Sequence, residues 1–378
     1  MFRVACGHSA QREQERTLET RLNGISAFIG RFGVLLAWGA LIAIFGGLLG
    51  STFLAVTTFQ TIFGTQAVLL ILSLGLMVVL MVGEFDLSIV GSMSMSVMIV
   101  GVLNVLHGWP IWLAVAAALV SGVVIGTINA LLVIRLGIDS IVVTLGAGTL
   151  WSGIGYGLFA TTIPGVSTPL STAVNTRVFG LPLGFYYALA LTVGLWYVVA
   201  YTPLGRYLHF VGANRTVSRL SGIRVDLIRG GSLVFSSTLA AFAGVVLVGQ
   251  LGASTPSASS TYLLPAFAAV FLGATTIQVG KFNAWGTFVA VYFLITGITG
   301  LELYGYSGWV VDVFYGGSLV AAVALSRVFS RKSTATKTGR PKGRPIASRF
   351  TPSNTEKEER NANTEKEERN GIKNDVVA

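Results

Sequence analysis

The sequence predicts an all-α polytopic membrane protein of about ten transmembrane helices with both termini cytoplasmic, and three observations carry that reading. First, 53% of the 378 residues are hydrophobic and only 11% are charged, with 46 glycines and a mean hydropathy of +0.72. No soluble globular domain has that balance. Second, weakly charged apolar runs of about 20 residues recur along the chain, the length a helix needs to cross roughly 30 Å of hydrocarbon. Third, lysine and arginine collect in alternate connections between these runs, as they do where a loop stays on the cytoplasmic side.

Taken in order, the expected spans are 33–50, 65–82, 87–106, 111–134, 140–160, 183–201, 231–251, 263–279, 284–301 and 309–326. Residues 1–31 form an N-terminal segment with Arg3, Arg12, Arg16, Arg21 and Arg31 but no continuous apolar stretch. It does not resemble a cleaved signal peptide, so the first span is the expected insertion signal. Threading from a cytoplasmic N-terminus places Arg135, Arg206, Arg215, Arg219, Arg224, Arg229 and Lys281 inside and leaves Arg177 outside. The basic stretch 327–349 then also falls inside, where it would meet anionic membrane lipid.

Residues 328–378 turn to Lys, Arg, Thr, Ser, Pro and Glu, and NTEKEERN at Asn354–Asn361 recurs at Asn363–Asn370. So polar a segment cannot bury enough apolar surface to offset its ordering entropy and is expected to be a disordered cytoplasmic tail. The formal net charge of +10 follows from topology, and no nucleic-acid partner is expected.

Chemistry is hard to find. Cys6 is the single cysteine, and His8, His107 and His209 lie in different loops, so neither a disulfide nor a metal site is expected. Gly273 to Phe282, GATTIQVGKF, has six residues between its glycines and Phe282 where a phosphate loop requires Ser or Thr. No catalytic residues are assigned, and any ATP-driven step would belong to another subunit.

The costly residues are Glu84 and Asp86 in MVGEFDLSIVGS, Met81 to Ser92. Each charge costs roughly 2.5 to 3.5 kcal/mol at mid-bilayer on an insertion scale. One reading is a short cytoplasmic turn in which Asp86 is the N-cap of the next helix. The other is a broken segment facing a solvated cavity, which makes Glu84, Asp86, Ser88, Asn129 and Thr144 candidates for the translocation pathway or gate. Thr149 and Gln250 are further polar positions, while Glu302 and Asp312 read as interfacial. The small, hydroxyl-rich loop 251–262 is a connector or a surface for an extracytoplasmic protein.

The loop 202–229 is basic and lies between long apolar runs, and reads as a socket for a soluble partner. Pro203 and Gly205 stiffen its entry, Val217 and Leu220 offer a small apolar face, and Gly222 ends a short helix.

Four segments in order, VGEFDLSIVGS, INALLVIRLGIDSIVVTLGAGTLWSGIGYGL, TPLGRYLHFVGANRTVSRLSGIRVD and AAVFLGATTIQVGKFNAWGTFVA, resemble the permease subunits of bacterial ABC importers of the ribose, xylose and galactose type. The resemblance covers roughly residues 64–327. It implies a permease domain at 32–327 in the cell inner membrane, with 202–229 as its cytoplasmic coupling loop. It further implies a second permease copy, a cytosolic ATP-binding-cassette subunit using ATP and Mg, and an extracytoplasmic sugar-binding protein, with no cofactor on this chain.

Gly205, Arg206, Gly212, Asn214, Arg219, Leu220 and Gly222 match the family's ATPase-docking segment, with Arg215 beside them. Three departures stand out. Glu84 occupies a position usually small in the family, one residue is inserted between Ser88 and Gly91, and Arg-Thr-Val-Ser at 215–218 replaces acidic and alanine residues. An ion-coupled secondary transporter using Glu84 and Asp86 is the alternative reading.

Overall fold

The structure is a computed structural model that describes residues 32–306 and 308–337. Residues 1–31 and most of the predicted tail lie outside the described residues. The chain divides into two compact units, Met1–Arg331 and Lys332–Ala378, and the membrane-spanning candidates belong to the first.

The described residues are overwhelmingly helical. The helices are α1 (Phe32–Leu49), α2 (Val56–Thr65), α3 (Ala67–Met81), α4 (Ile89–Gly101), α5 (Ile111–Ile134), α6 (Ser140–Leu158) and α7 (Thr168–Asn175). Then come α8 (Leu183–Tyr201), α9 (Pro203–Ala213), α10 (Arg215–Leu220), α11 (Val225–Leu251), α12 (Leu263–Gly273), α13 (Ala284–Leu303) and α14 (Trp309–Lys337).

Among the described residues, seven helices are long and apolar enough to cross a membrane, or eight if α2 and α3, bent by 41° at Gln66, form one span. That is fewer than the expected ten, and two further apolar helices, Ser260–Gly273 and Trp309–Ala324, are shorter than a full span. The run expected at 263–279 stops being helical at Gly273. Beyond it, Thr275 and Thr276 turn the chain, Ile277 and Gly280 take positive φ, and Asn283 caps α13 by accepting from the Gly286 amide at 2.6 Å.

The helices sort into an inner and an outer set for a physical reason. Every residue of α3, AVLLILSLGLMVVLM, is buried. A helix apolar on all sides, with no polar face to turn outward, belongs at the centre of a membrane bundle. Long α11 packs along α5, α3 and α4, and α13 lies against α12 and α3. In contrast α1, α5, α6 and α8 leave most of their residues at least partly exposed, the surface a bilayer covers.

Two ends of the bundle are organised differently. At one, the strands β1 (Ile163–Pro164) and β4 (Ala253–Ser254) pair antiparallel, and Thr162 and Thr255 share a hydrogen bond across them. The hydroxyl-rich loop 251–262 is thereby tied to the loop after α6. At the other end, the turn 82–88 between α3 and α4 meets the start of α6, the α9–α10 hairpin and the first turns of α11.

Candidate functional site

The site is built on the break between α3 and α4. Gly83 ends α3 with φ +76, a left-handed conformation that glycine adopts without steric cost. Its amide reaches the Leu80 carbonyl at 3.1 Å and the Glu84 amide reaches Val79 at 3.2 Å, the paired bonds of a Schellman ending. The chain thus leaves α3 in a fixed direction that carries Glu84 toward one flank.

Glu84 is buried, with only 4% of its side chain exposed, and its Oε1 accepts from two arginines. Arg215 Nη2, at the start of α10, donates to it at 2.7 Å, and Arg229 Nε, in the first turns of α11, donates at 2.6 Å. Arg215 Nη2 also donates to the Gly83 carbonyl at 2.9 Å, placing a cation at the negative end of the α3 dipole. The desolvation cost noted for Glu84 is met by charge.

Asp86, two residues on, is fully buried and among the described residues has no ion-pair partner. Its Oδ1 accepts from the Ser88 amide at 3.0 Å and from the Ser88 hydroxyl. Ser88 is the residue flanking α4, so Asp86 braces the helix start through an Asx-type turn from two residues upstream of the N-cap. Asn129 Nδ2, on α5, donates to the Ser88 hydroxyl at 2.7 Å. Among the described residues Asp86 Oδ2, Asn129 Oδ1 and the Ser92 hydroxyl make no close hydrogen bond, with Ser236 of α11 beside the Asp86 carboxyl, so this seam holds spare hydrogen-bonding capacity of the kind a water or a hydroxyl group satisfies.

The outer edge of the turn is gripped by α6. Ser140 Oγ accepts from the Phe85 amide at 3.2 Å, and Thr144 Oγ1 accepts from the Leu87 amide at 3.1 Å while its own proton points to the Ser140 and Phe85 carbonyls. Two side chains of a helix thereby stand in for the backbone partners the broken segment lacks. Beside the turn opens a cavity of about 810 Å³ walled by Phe85, Leu87, Ile141, Phe267, Asp312 and Tyr315.

The hairpin α9–α10 sits at the same end. Gly205 and Gly212 allow close backbone approach: a β-carbon at Gly205 would collide with the Val199 carbonyl oxygen, and one at Gly212 with that of Met81. Gly212 therefore seats α9 directly on the end of α3. Asn214 caps α10 by accepting from the Val217 amide at 3.0 Å, and Gly222 ends it with φ +79. Arg219 pairs with Asp226 at 3.0 Å, both exposed, a contact worth little by itself. Arg206 and the apolar Val217 and Leu220 face outward, Leu220 at 84% exposure.

Of the residues singled out from sequence, Glu84, Asp86, Ser88, Asn129 and Thr144 come together in and around one turn. Thr149, exposed and bonded to its own helix, and Gln250, at the opposite end beside Arg177, do not join them. Sequence reasoning missed Arg229 and Ser140 as partners of the turn, and it did not pair Arg215 with Glu84. That Glu84 and Arg215 both depart from the family pattern was the available signal for the last of these.

Comparison with known proteins accords with this architecture. The chain is 26% identical to the D-allose transport system permease protein AlsC of Escherichia coli over 321 residues, covering 85% of this chain and 98% of that one. It is 30% identical to the autoinducer 2 import system permease protein LsrC of an Enterobacter species over 334 residues, covering 85% and 92%. It is 29% identical to the ribose import permease protein RbsC of Haemophilus influenzae over 290 residues, covering 74% and 89%. No solved structure matches. Residues 58–323 match the family described as "Branched-chain amino acid transport system / permease component", and the chain belongs to that family of inner-membrane transport permeases.

Proposed function

We propose that this chain is the translocation subunit of an ATP-binding-cassette importer for a monosaccharide or a similarly small polar solute. In this reading two copies form the pathway, an extracytoplasmic binding protein delivers the solute, and a cytosolic ATPase, with ATP and Mg, drives alternating access. The relatives named for allose, autoinducer 2 and ribose support the solute class.

The observation that carries the coupling role is the α9–α10 hairpin. It projects Leu204, Val217 and Leu220 outward between two spans and is seated by Gly212 on the end of the central helix. An amphipathic helix of this kind fits a groove on a partner and transmits that partner's closure as rigid-body motion. In this reading the two short apolar helices also cross the membrane, for ten crossings, with both termini, the hairpin, Arg135 and Lys281 on the cytoplasmic side. The basic stretch 327–349 is then a candidate partner for anionic lipid.

The test is reconstitution with the ATPase and the binding protein, scored by ATP hydrolysis stimulated by individual pentoses and hexoses. Val217→Asp with Leu220→Asp is expected to weaken ATPase retention on the order of tenfold or more. Wild-type retention in that variant would refute the docking assignment.

A further inference from the structure

We propose that Glu84, held between Arg215 and Arg229, is a releasable latch that ties the α9–α10 hairpin to the turn 82–88, making Glu84 a positioning residue for transport. This rests on the hairpin being the ATPase-docking element.

Three features of the geometry point to a latch rather than a static staple. The two guanidiniums share one oxygen, Glu84 Oε1, but belong to different bodies. Arg229 rises from α11, a 27-residue helix packed along α3, α4 and α5, and its side chain is 16% exposed. Arg215 opens α10, a six-residue helix on the surface, and its side chain is 43% exposed. The buried carboxylate therefore has one resident counter-charge and one that arrives with the hairpin.

That arrangement sets the energetics of release. A buried carboxylate whose only partner departs is left uncompensated, which is strongly unfavourable. Here Arg215 can leave and Glu84 remains paired with Arg229, while Arg215, already nearly half exposed, passes into water. With both arginines in place the cluster carries one net positive charge, and with Arg215 withdrawn it is neutral. Both states are tolerable, which is what a two-state contact requires.

The contact also has somewhere to send its motion. Arg215 holds the Gly83 carbonyl as well as Glu84, so it grips the backbone of the turn. Three residues on, the same turn carries Asp86 and Ser88, joined to Asn129 on α5, and its other edge is held by Ser140 and Thr144 on α6. A displacement of the hairpin thus reaches the buried polar seam through directional bonds and packed backbone.

The experiment is a double-mutant cycle on the full reconstituted importer with Glu84→Gln, Arg215→Gln and the pair, reading solute taken up per ATP hydrolysed alongside ATPase retention. Arg215→Gln should lower the uptake-to-hydrolysis ratio, read on the ATPase that remains bound, about fivefold or more, the low end of ordinary coupling between sites, with folded yield unchanged. The double variant should be no worse than the poorer single variant. Should Glu84→Gln fail to accumulate, Arg215→Gln alone carries the measurement, since its side chain is partly exposed. Wild-type coupling in Arg215→Gln, or effects that simply add in the double variant, would overturn the latch. If Val217→Asp with Leu220→Asp leaves retention intact, the docking reading falls and the latch with it; a retention loss there combined with normal coupling in Arg215→Gln would sink the latch alone.

Discussion

Glu84 and Asp86 stand two residues apart in one turn, both buried carboxyls at the break of the α3–α4 segment, yet they are satisfied in opposite ways. Glu84 takes two full charges from residues 131 and 145 positions away. Among the described residues Asp86 takes no full charge: the amide and hydroxyl of Ser88 bond it, Ser236 of α11 lies beside it, and Asn129 stands one step behind. The cause lies in where the backbone aims each carboxyl. The Schellman ending at Gly83 directs residue 84 toward the arginine-bearing loop, whereas residue 86 lies buried in the bundle, where no arginine or lysine pairs with it among the described residues.

The harshest perturbation removes the charged side. Glu84→Ala leaves Arg229 buried beside Arg215 with no anion between them. Because removing one partner of a buried pair strands the other, a loss of about 3 kcal/mol in stability is expected, less than the full range since Arg215 can swing into water. Thermal unfolding in detergent should show it, and a melting point within error of wild type would mean the arginines find another partner.

A milder one acts on the dipolar side. Ser88→Ala keeps the Ser88 amide bond to Asp86 but deprives Asp86 of a hydroxyl donor and Asn129 of its acceptor. The expected cost is about 1–3 kcal/mol, the range for a buried polar group left unpaired. It should therefore unfold at a temperature between wild type and Glu84→Ala. The reverse order would show that Glu84 is held less tightly than its geometry implies.

The smallest effect concerns His209 on α9, outside the spans. Burial, and then the nearby positive charge of Lys281, push its pKa below the ordinary 6.5. With the folded value depressed, the folded chain binds fewer protons than the unfolded chain just below pH 6.5, so the stability present at neutral pH falls as pH drops through that value. The change should be a fraction of 1 kcal/mol, since the ring is partly exposed, and should vanish in His209→Gln. An equal acid-induced loss in that variant would assign it to other groups.

Much of the fold was legible. Hydropathy runs marked nearly every long helix, because a membrane span must hide its backbone in a helix of fixed length and clothe it in apolar side chains. The starts of α6, α10 and α13 were written in Asp139, Asn214 and Asn283, whose capping bonds are local. The run at 231–251 hid a helix that begins at Val225, because Asp226 and Arg229 look like loop residues until their partners are known. The run at 263–279 overshot because apolarity continued past the residue where the backbone turned.

Composition and neighbours a few positions apart were enough to set the class of molecule, the approximate spans, the basic hairpin and the polar turn. They were not enough to show that Glu84 meets Arg215 and Arg229, that Asp86 meets Ser88 and Ser88 meets Asn129, or that α6 supplies the missing backbone partners of the turn. Those pairings came from the packed helices, and they join residues between 41 and 145 positions apart in all but one case. No periodicity or spacing encodes a contact that exists only once separate helices have come together.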